Sequence, residues 1–151
     1  MKRRRFAFAA LLAAALLTTT GCSMLEQVNT TLNYATEATG FVNEANAFAE
    51  QVPLLAEQAL TDPETLDRLS AEFQSMRDQI DSFNALQAPA FAEDVHAQLV
   101  EYNETIRGQI DGYLQQIEQN VIDLEQLANA PMLETIRSMT SLLQQIEQLG
   151  Q

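Results

Sequence analysis

Apolar residues recur at steps of three and four along nearly the whole chain, and that spacing leaves few folds open. Leu66, Leu69, Phe73, Met76, Ile80 and Phe83 form an unbroken seam, as do Ala92, Val95, Leu99, Tyr102, Ile106, Ile110, Tyr113 and Ile117. Each is one face of an α-helix. Met132, Ile136, Met139, Leu143, Ile146 and Leu149 predict a last helix of the same kind. Ahead of these, Leu25, Val28, Leu32 and Ala35 start a stripe that resumes as Phe41, Ala45, Phe48, Val52, Leu55 and Ala59. Between its two parts lies one three-residue step through Ala38, read as a local phase shift beside Gly40. Pro53 falls inside this stripe and removes one backbone donor. Because Val52, Leu55 and Ala59 stay in phase across it, the expectation is one helix kinked near Pro53 rather than two.

The links are short and contain proline. In "TDPE", residues 61–64, Thr61 or Asp62 can cap, Pro63 suits a first turn, and Glu64 completes a capping box if Thr61 is the cap. "LQAPA" at 86–90 and "NAP" at 129–131 are the other breaks, with a short segment at Asp123 to Leu127 before the second. No alternating runs and no Asn-Gly or Asp-Gly turns suggest strands. Short links between long amphipathic helices place neighbours antiparallel. The expected fold is therefore all-α, an antiparallel bundle of three to four long amphipathic helices.

The first 21 residues read differently. Met1-Lys2-Arg3-Arg4-Arg5 holds four of the eight basic side chains, and Phe6 to Leu17 is a run of twelve apolar residues. A charged start and an apolar stretch of that length describe a secretory signal, since a helix needs ~20 residues to span a bilayer core. No A-x-A cleavage site follows. Instead Thr18-Thr19-Thr20-Gly21-Cys22 resembles a bacterial lipobox, whose cysteine takes a diacylglycerol and becomes the new N-terminus. Thr20-Gly21-Cys22 fits that pattern, while Thr19 stands where leucine is usual. Arg3-Arg4-Arg5-Phe6 also has the look of a twin-arginine export signal, against which the short basic stretch weighs. Cys22 is the chain's one cysteine, which excludes an internal disulfide. Residues 1–21 are expected to be a lipoprotein signal peptide and 22–151 one acidic domain. Two or more acyl chains would anchor it stably, at ~0.8 kcal/mol per buried CH₂.

Without residues 1–21 there is no lysine, and Arg68, Arg77, Arg107 and Arg137 face all 21 acidic residues, a net charge of −17. Such a surface repels nucleic acid and anionic headgroups alike. Membrane attachment must then come from the lipid on Cys22, and no nucleic-acid partner is expected.

Catalytic and metal readings have little to stand on. His96 is the one histidine, in Glu93-Asp94-Val95-His96. An E-x-x-H on a helix belongs to di-iron bundles, but those need two such motifs and two more glutamates, and structural zinc takes four N or S ligands. His96 lies on the flank of the apolar face, where a hydrogen-bonded boundary histidine is ordinary. Glu93 with Asp94, Asp78 with Asp81, and Glu101 with Glu104 read as solvating charge, because an acid catalyst needs a carboxyl held in a dry pocket. Glu64 with Arg68, Glu104 with Arg107 and Glu134 with Arg137 have the spacing of intrahelical ion pairs, worth ~0.2–0.5 kcal/mol each. No metal, cofactor or catalytic residue is assigned. Gly108 and Gly112 stand in a helix opposite the seam and destabilise it by roughly 1 kcal/mol each relative to alanine. Either a neighbour packs closely there or the face is a tolerated weakness. Phe73, Phe83, Tyr102 and Tyr113 read most simply as core. The sequons at Asn29 and Asn103 are discounted, because a lipobox implies a bacterium.

"VNTTLNYATEA" at 28–38 and "FNALQAPAFAEDVHAQLVEYN" at 83–103 resemble an uncharacterised family of small helical lipoproteins from Bacillus-like Gram-positive bacteria. The resemblance spans the mature chain. It implies a helical fold and a lipid-anchored place on the extracytoplasmic face of the cell membrane, and carries no functional residues with it. Function is expected to be non-enzymatic: an interaction, scaffold or accessory protein of the envelope, with a protein partner of unassigned identity. The alternative is a small-ligand or peptide-binding lipoprotein with a pocket between helices. That version requires a cavity of ~300 Å³ or more with apolar walls, whereas the first requires a filled core and an exposed contact face. A third class, enzyme or metal protein, would have to depend on His96.

Overall fold

In the computed structural model, which describes the backbone of residues 22–149 and the side chains of 32–144, the helices form in the order the seams require. α1 runs from Cys22 to Ala59, α2 from Thr65 to Asn84, α3 from Glu93 to Glu118, the one-turn α4 from Leu124 to Leu127, and α5 from Pro131 to Leu149. Among the described residues there is no strand. α1 packs on α2 and α5, and α3 packs on the same two, so α1 and α3 stand diagonally across a four-helix bundle. α4 lies against α1.

One apolar cluster joins all five helices. Phe73 of α2 is its centre, fully buried, with its ring stacked on Tyr113 of α3 at 5.9 Å between centroids and tilted against Phe48 of α1 at 5.8 Å. Towards the start of α1, Phe41 stacks on Phe83 at 4.4 Å. Burial of each such side chain contributes ~1.5–3 kcal/mol.

α1 is continuous through Pro53, as the in-phase residues beyond it require. Its seam, however, enters by a different route from the one expected. Tyr34, Ala38, Phe41, Ala45, Phe48, Val52, Leu55 and Ala59 are buried in an even alternation of four and three, with no phase shift at Gly40. Leu32 is exposed and Ala35 only half-buried, because Tyr34 begins the core-facing row and the stripe through Leu32 belongs to an adjacent row of the helix. Leu25 and Val28 lie outside the residues whose side chains are described, as do Ile146 and Leu149. In α3, Asn103 takes the fully buried position and Tyr102 stays half-buried beside it.

At the start of α2 the structure decides between the two caps that the sequence offered. The capping box on Thr61 does not form, since the Thr61 hydroxyl donates back to the Gln58 carbonyl. Asp62 caps instead, its carboxylate accepting from the Glu64 N–H at 3.1 Å and the Thr65 hydroxyl at 3.2 Å. Asp123 caps α4 by accepting from the Gln126 N–H at 2.9 Å. Pro131 opens α5, where its missing N–H is no loss, and the Gln109 side chain accepts from the Met132 N–H at 3.0 Å. The turn that follows α3 passes through Asn120 at φ 54°. Its N–H bonds the Ile117 carbonyl and the Val121 N–H bonds the Gln116 carbonyl, the pairing that closes a helix through a left-handed residue.

The arginines bind across helices rather than along them. Arg77 of α2 meets Asp111 of α3, and Arg107 of α3 meets Asp81 of α2, each at 3.3 Å. Both pairs are partly exposed, so each contributes at most ~1 kcal/mol. One turn further, Asn84 accepts from Asn103 at 2.8 Å and donates to Glu104 at 3.3 Å. The three rungs fix the antiparallel register of α2 and α3.

A Cβ added at Gly108 or Gly112 would meet nothing within 4 Å. No neighbour within the chain therefore demands a glycine at either position. Gly108→Ala and Gly112→Ala should each raise stability by up to ~1 kcal/mol, read as a higher midpoint in urea. Phe73→Ala should lower it by ~3–5 kcal/mol in the same measurement.

Candidate functional site

Cys22, the one site residue assigned from sequence, is the first residue of α1. From Cys22 the chain enters the bundle as continuous helix, without an intervening loop. The described core begins twelve residues later, at Tyr34, a helical rise of ~18 Å.

At that end of the bundle the side chains of Tyr34, Phe41, Phe83 and His96 converge. The Tyr34 hydroxyl and His96 Nδ1 are 3.1 Å apart, joining diagonal helices, and the two rings meet edge to face at 5.7 Å. Phe83 lies 5.1 Å from the imidazole on its other side. Burial pushes the Tyr34 phenol up to about 12 and lowers the His96 pKa. Both shifts favour the neutral forms, in which a ring with its proton on Nε2 accepts at Nδ1 from the phenol. His96 is thus a half-buried boundary histidine held by tyrosine, and among the described residues no carboxylate pairs with it. Tyr34 was not singled out by its spacing. Its four-residue step to Ala38 and three more to Phe41 were the available signal.

The remaining candidates do not assemble. Among the described residues, no three His, Cys, Asp or Glu side chains converge on a point that could hold a metal. Glu93 and Asp94 are exposed in the first turn of α3, where carboxylates suit the helix dipole. Asn103 is fully buried and tied to Asn84, so its sequon is inaccessible. Between α1 and α2 runs an open groove of about 440 Å³ with Phe41, Phe83 and Leu86 on its floor and Glu37, Glu44 and Asp78 along it. Its volume exceeds the ~300 Å³ that the ligand-binding alternative asks for, but it is open to solvent and edged by carboxylates.

Residues 34–149 match the model of a "Family of unknown function (DUF6376)". The chain belongs to this family. A relative from Bacillus subtilis (strain 168), "Uncharacterized lipoprotein YybP", is 37% identical over 136 residues, which cover 90% of this chain and 92% of that protein. No solved structure matches. The family match opens at Tyr34, which is the first of the described side chains to lie in the core. Among the described residues no helix is long and apolar enough to cross a membrane.

The Tyr34–His96 pair has a signed pH dependence. Unfolding frees His96 to bind a proton near pH 6.5, so its contribution is present above that pH and declines as pH falls below it. Tyr34 resists ionisation in the fold, so its contribution is present below pH 10 and declines as pH rises towards 12. Tyr34→Phe should reduce stability at neutral pH by ~0.5–1.5 kcal/mol and abolish the absorbance step near pH 12. His96→Gln should flatten the difference in urea midpoint between pH 7.5 and pH 5 relative to the parent chain.

Proposed function

We propose that this chain is a lipid-anchored lipoprotein of the bacterial cell envelope, acting as a non-enzymatic interaction or accessory protein. Residues 1–21 are a signal peptide, and Cys22 carries the diacylglycerol. Residues 22–151 form one acidic domain on the extracytoplasmic face of the membrane. The observation that carries the reading is α1 itself: a helix that starts on the lipobox cysteine and continues as a wall of the core. The relative's description as a lipoprotein supports it. A core filled by Phe73, Leu69, Met76, Ile80, Leu99 and Ile136 leaves function to the surface. That is the arrangement of a protein that works by contact.

Cross-linking and co-purification from native membranes tests this, comparing the parent chain with Cys22→Ala. The parent should fractionate with membranes, its intact mass showing loss of residues 1–21 and gain of a diacylglycerol, and should bring down a discrete envelope protein. Cys22→Ala should be released and lose that protein. Equal solubility of the two forms would overturn the anchor. An anchored chain that recovers no protein but is stabilised by a small molecule in a thermal-shift screen would overturn the accessory role.

A further inference from the structure

The loops joining α1 to α2 and α3 to α5 share the end of the bundle remote from Cys22. Exposed large hydrophobic side chains gather at this end. Leu54, Leu60 and Val121 are 58%, 56% and 63% exposed, and Leu32 is the other such residue in the described part of the chain. A groove of about 310 Å³ lies here between the last turns of α1 and the short α4. Pro53, Leu54, Leu60, Leu124 and Ala128 make its apolar surface, and Glu57 and Glu125 edge it. α4 holds the groove open, because Leu127 is fully buried and anchors the turn while Leu124 and Ala128 remain half-exposed beside α1.

We propose that this groove docks a cationic amphipathic segment of another envelope protein, one that lays apolar side chains on Leu54 and Leu60 and sets lysine or arginine against Glu57 and Glu125. The inference rests on the anchored-accessory reading and gives it a surface and a partner chemistry. Charge selects the occupant. Among the described residues neither Glu57 nor Glu125 forms an ion pair. On the other flank of Leu54 the surface carries Glu50 together with Arg68, so the α4 side is the one where negative charge stands without a balancing cation. Residues 22–151 of a second copy would bring another −17 charges with four arginines and no lysine, two of those arginines being engaged between α2 and α3. The chain's own membrane is disfavoured by distance. Leu54 is 32 residues along α1 from Cys22, ~48 Å of helix at 1.5 Å per residue. An anionic lipid surface would be repelled besides.

The test is site-specific photo-crosslinking of the full-length chain in its native membrane, with a photoreactive phenylalanine derivative at Leu54 or Leu60. Gln98 and Glu101, both exposed on α3 towards the other end, serve as control positions. The expected result is a cross-link from 54 and 60 alone, mapped by mass spectrometry to a protein segment with lysine or arginine among apolar residues. Glu57→Gln with Glu125→Gln should weaken capture by about tenfold, the loss of two contacts worth ~0.7 kcal/mol each. Leu60→Ser combined with the probe at Leu54 should do the same, with the fold checked by circular dichroism. Cross-links to a second copy, to phospholipid or to an acidic or uncharged segment would overturn the proposal, as would equal yield from the controls. If the partner recovered with the anchored chain cross-links only from another face, the groove fails and the accessory reading stands. If no position captures a protein, both fail.

Discussion

Everything in this bundle depends on Phe73 being surrounded. Its ring lies between Phe48 and Tyr113, so one side chain holds α1, α2 and α3 at a common level. α1 and α3 are diagonal and make no close backbone approach to each other, which means their relative position is set through the side chains between them. Phe73 does this in the middle of the core and the Tyr34–His96 bond does it at the end nearer Cys22. The two differ in kind. Burial of a ring is insensitive to pH, whereas burial of the tyrosine–histidine pair favours the neutral form of each partner and so makes its contribution depend on pH.

The helices were legible because burial repeats, and repeats are what a sequence displays. α2 followed its seam closely, with Leu69, Phe73, Met76, Ile80 and Phe83 all buried. Errors arose where two rows of similar residues compete for the same face. Near the start of α1 the row through Leu32 and Ala35 is as apolar as the row through Tyr34 and Ala38, and only packing decides between them. In α3 the buried position went to Asn103 over Tyr102 because α2 presents Asn84 there, whose amide oxygen accepts from Asn103, although Asn103 Oδ1 has no partner among the described residues. Asn84 is nineteen residues away in sequence, beyond the reach of any local pattern. The ion pairs failed likewise. Intrahelical spacing was available to Arg107 and Glu104, but the antiparallel neighbour offered Asp81 at comparable strength and with a register to fix. Of the candidate site, Cys22 is an expectation from the Thr20-Gly21-Cys22 pattern alone, while the Tyr34–His96 pair and the groove edged by Glu57 and Glu125 exist only once the helices are assembled.

Net charge and fold are separable here. In residues 22–151, 21 acidic side chains against four arginines should strain a small bundle by self-repulsion, yet the cationic side chains are not spread to offset it. Two of the four are committed to one interface, α2 with α3. The α1–α2 interface, by contrast, carries Glu37, Glu44 and Asp78 along one groove and is held by apolar packing and the Phe41–Phe83 stack. Hydrophobic burial of ~1.5–3 kcal/mol per large side chain exceeds a surface ion pair at ~0–1 kcal/mol. The aromatic contacts therefore carry the acidic half of the molecule, and salt bridges serve register in the other half.

The length of α1 gives the bundle an orientation. The other three long helices span 20, 26 and 19 residues, and α1 spans 38. At 1.5 Å per residue the excess over α3 is ~18 Å, the same as the twelve residues from Cys22 to Tyr34, the first of the described side chains in the core. From Tyr34 onwards the helix is held by packing against α2, α4 and α5. The apolar groove that α1 forms with α4 lies at its other end, so one continuous helix sets the distance between Cys22 and that groove.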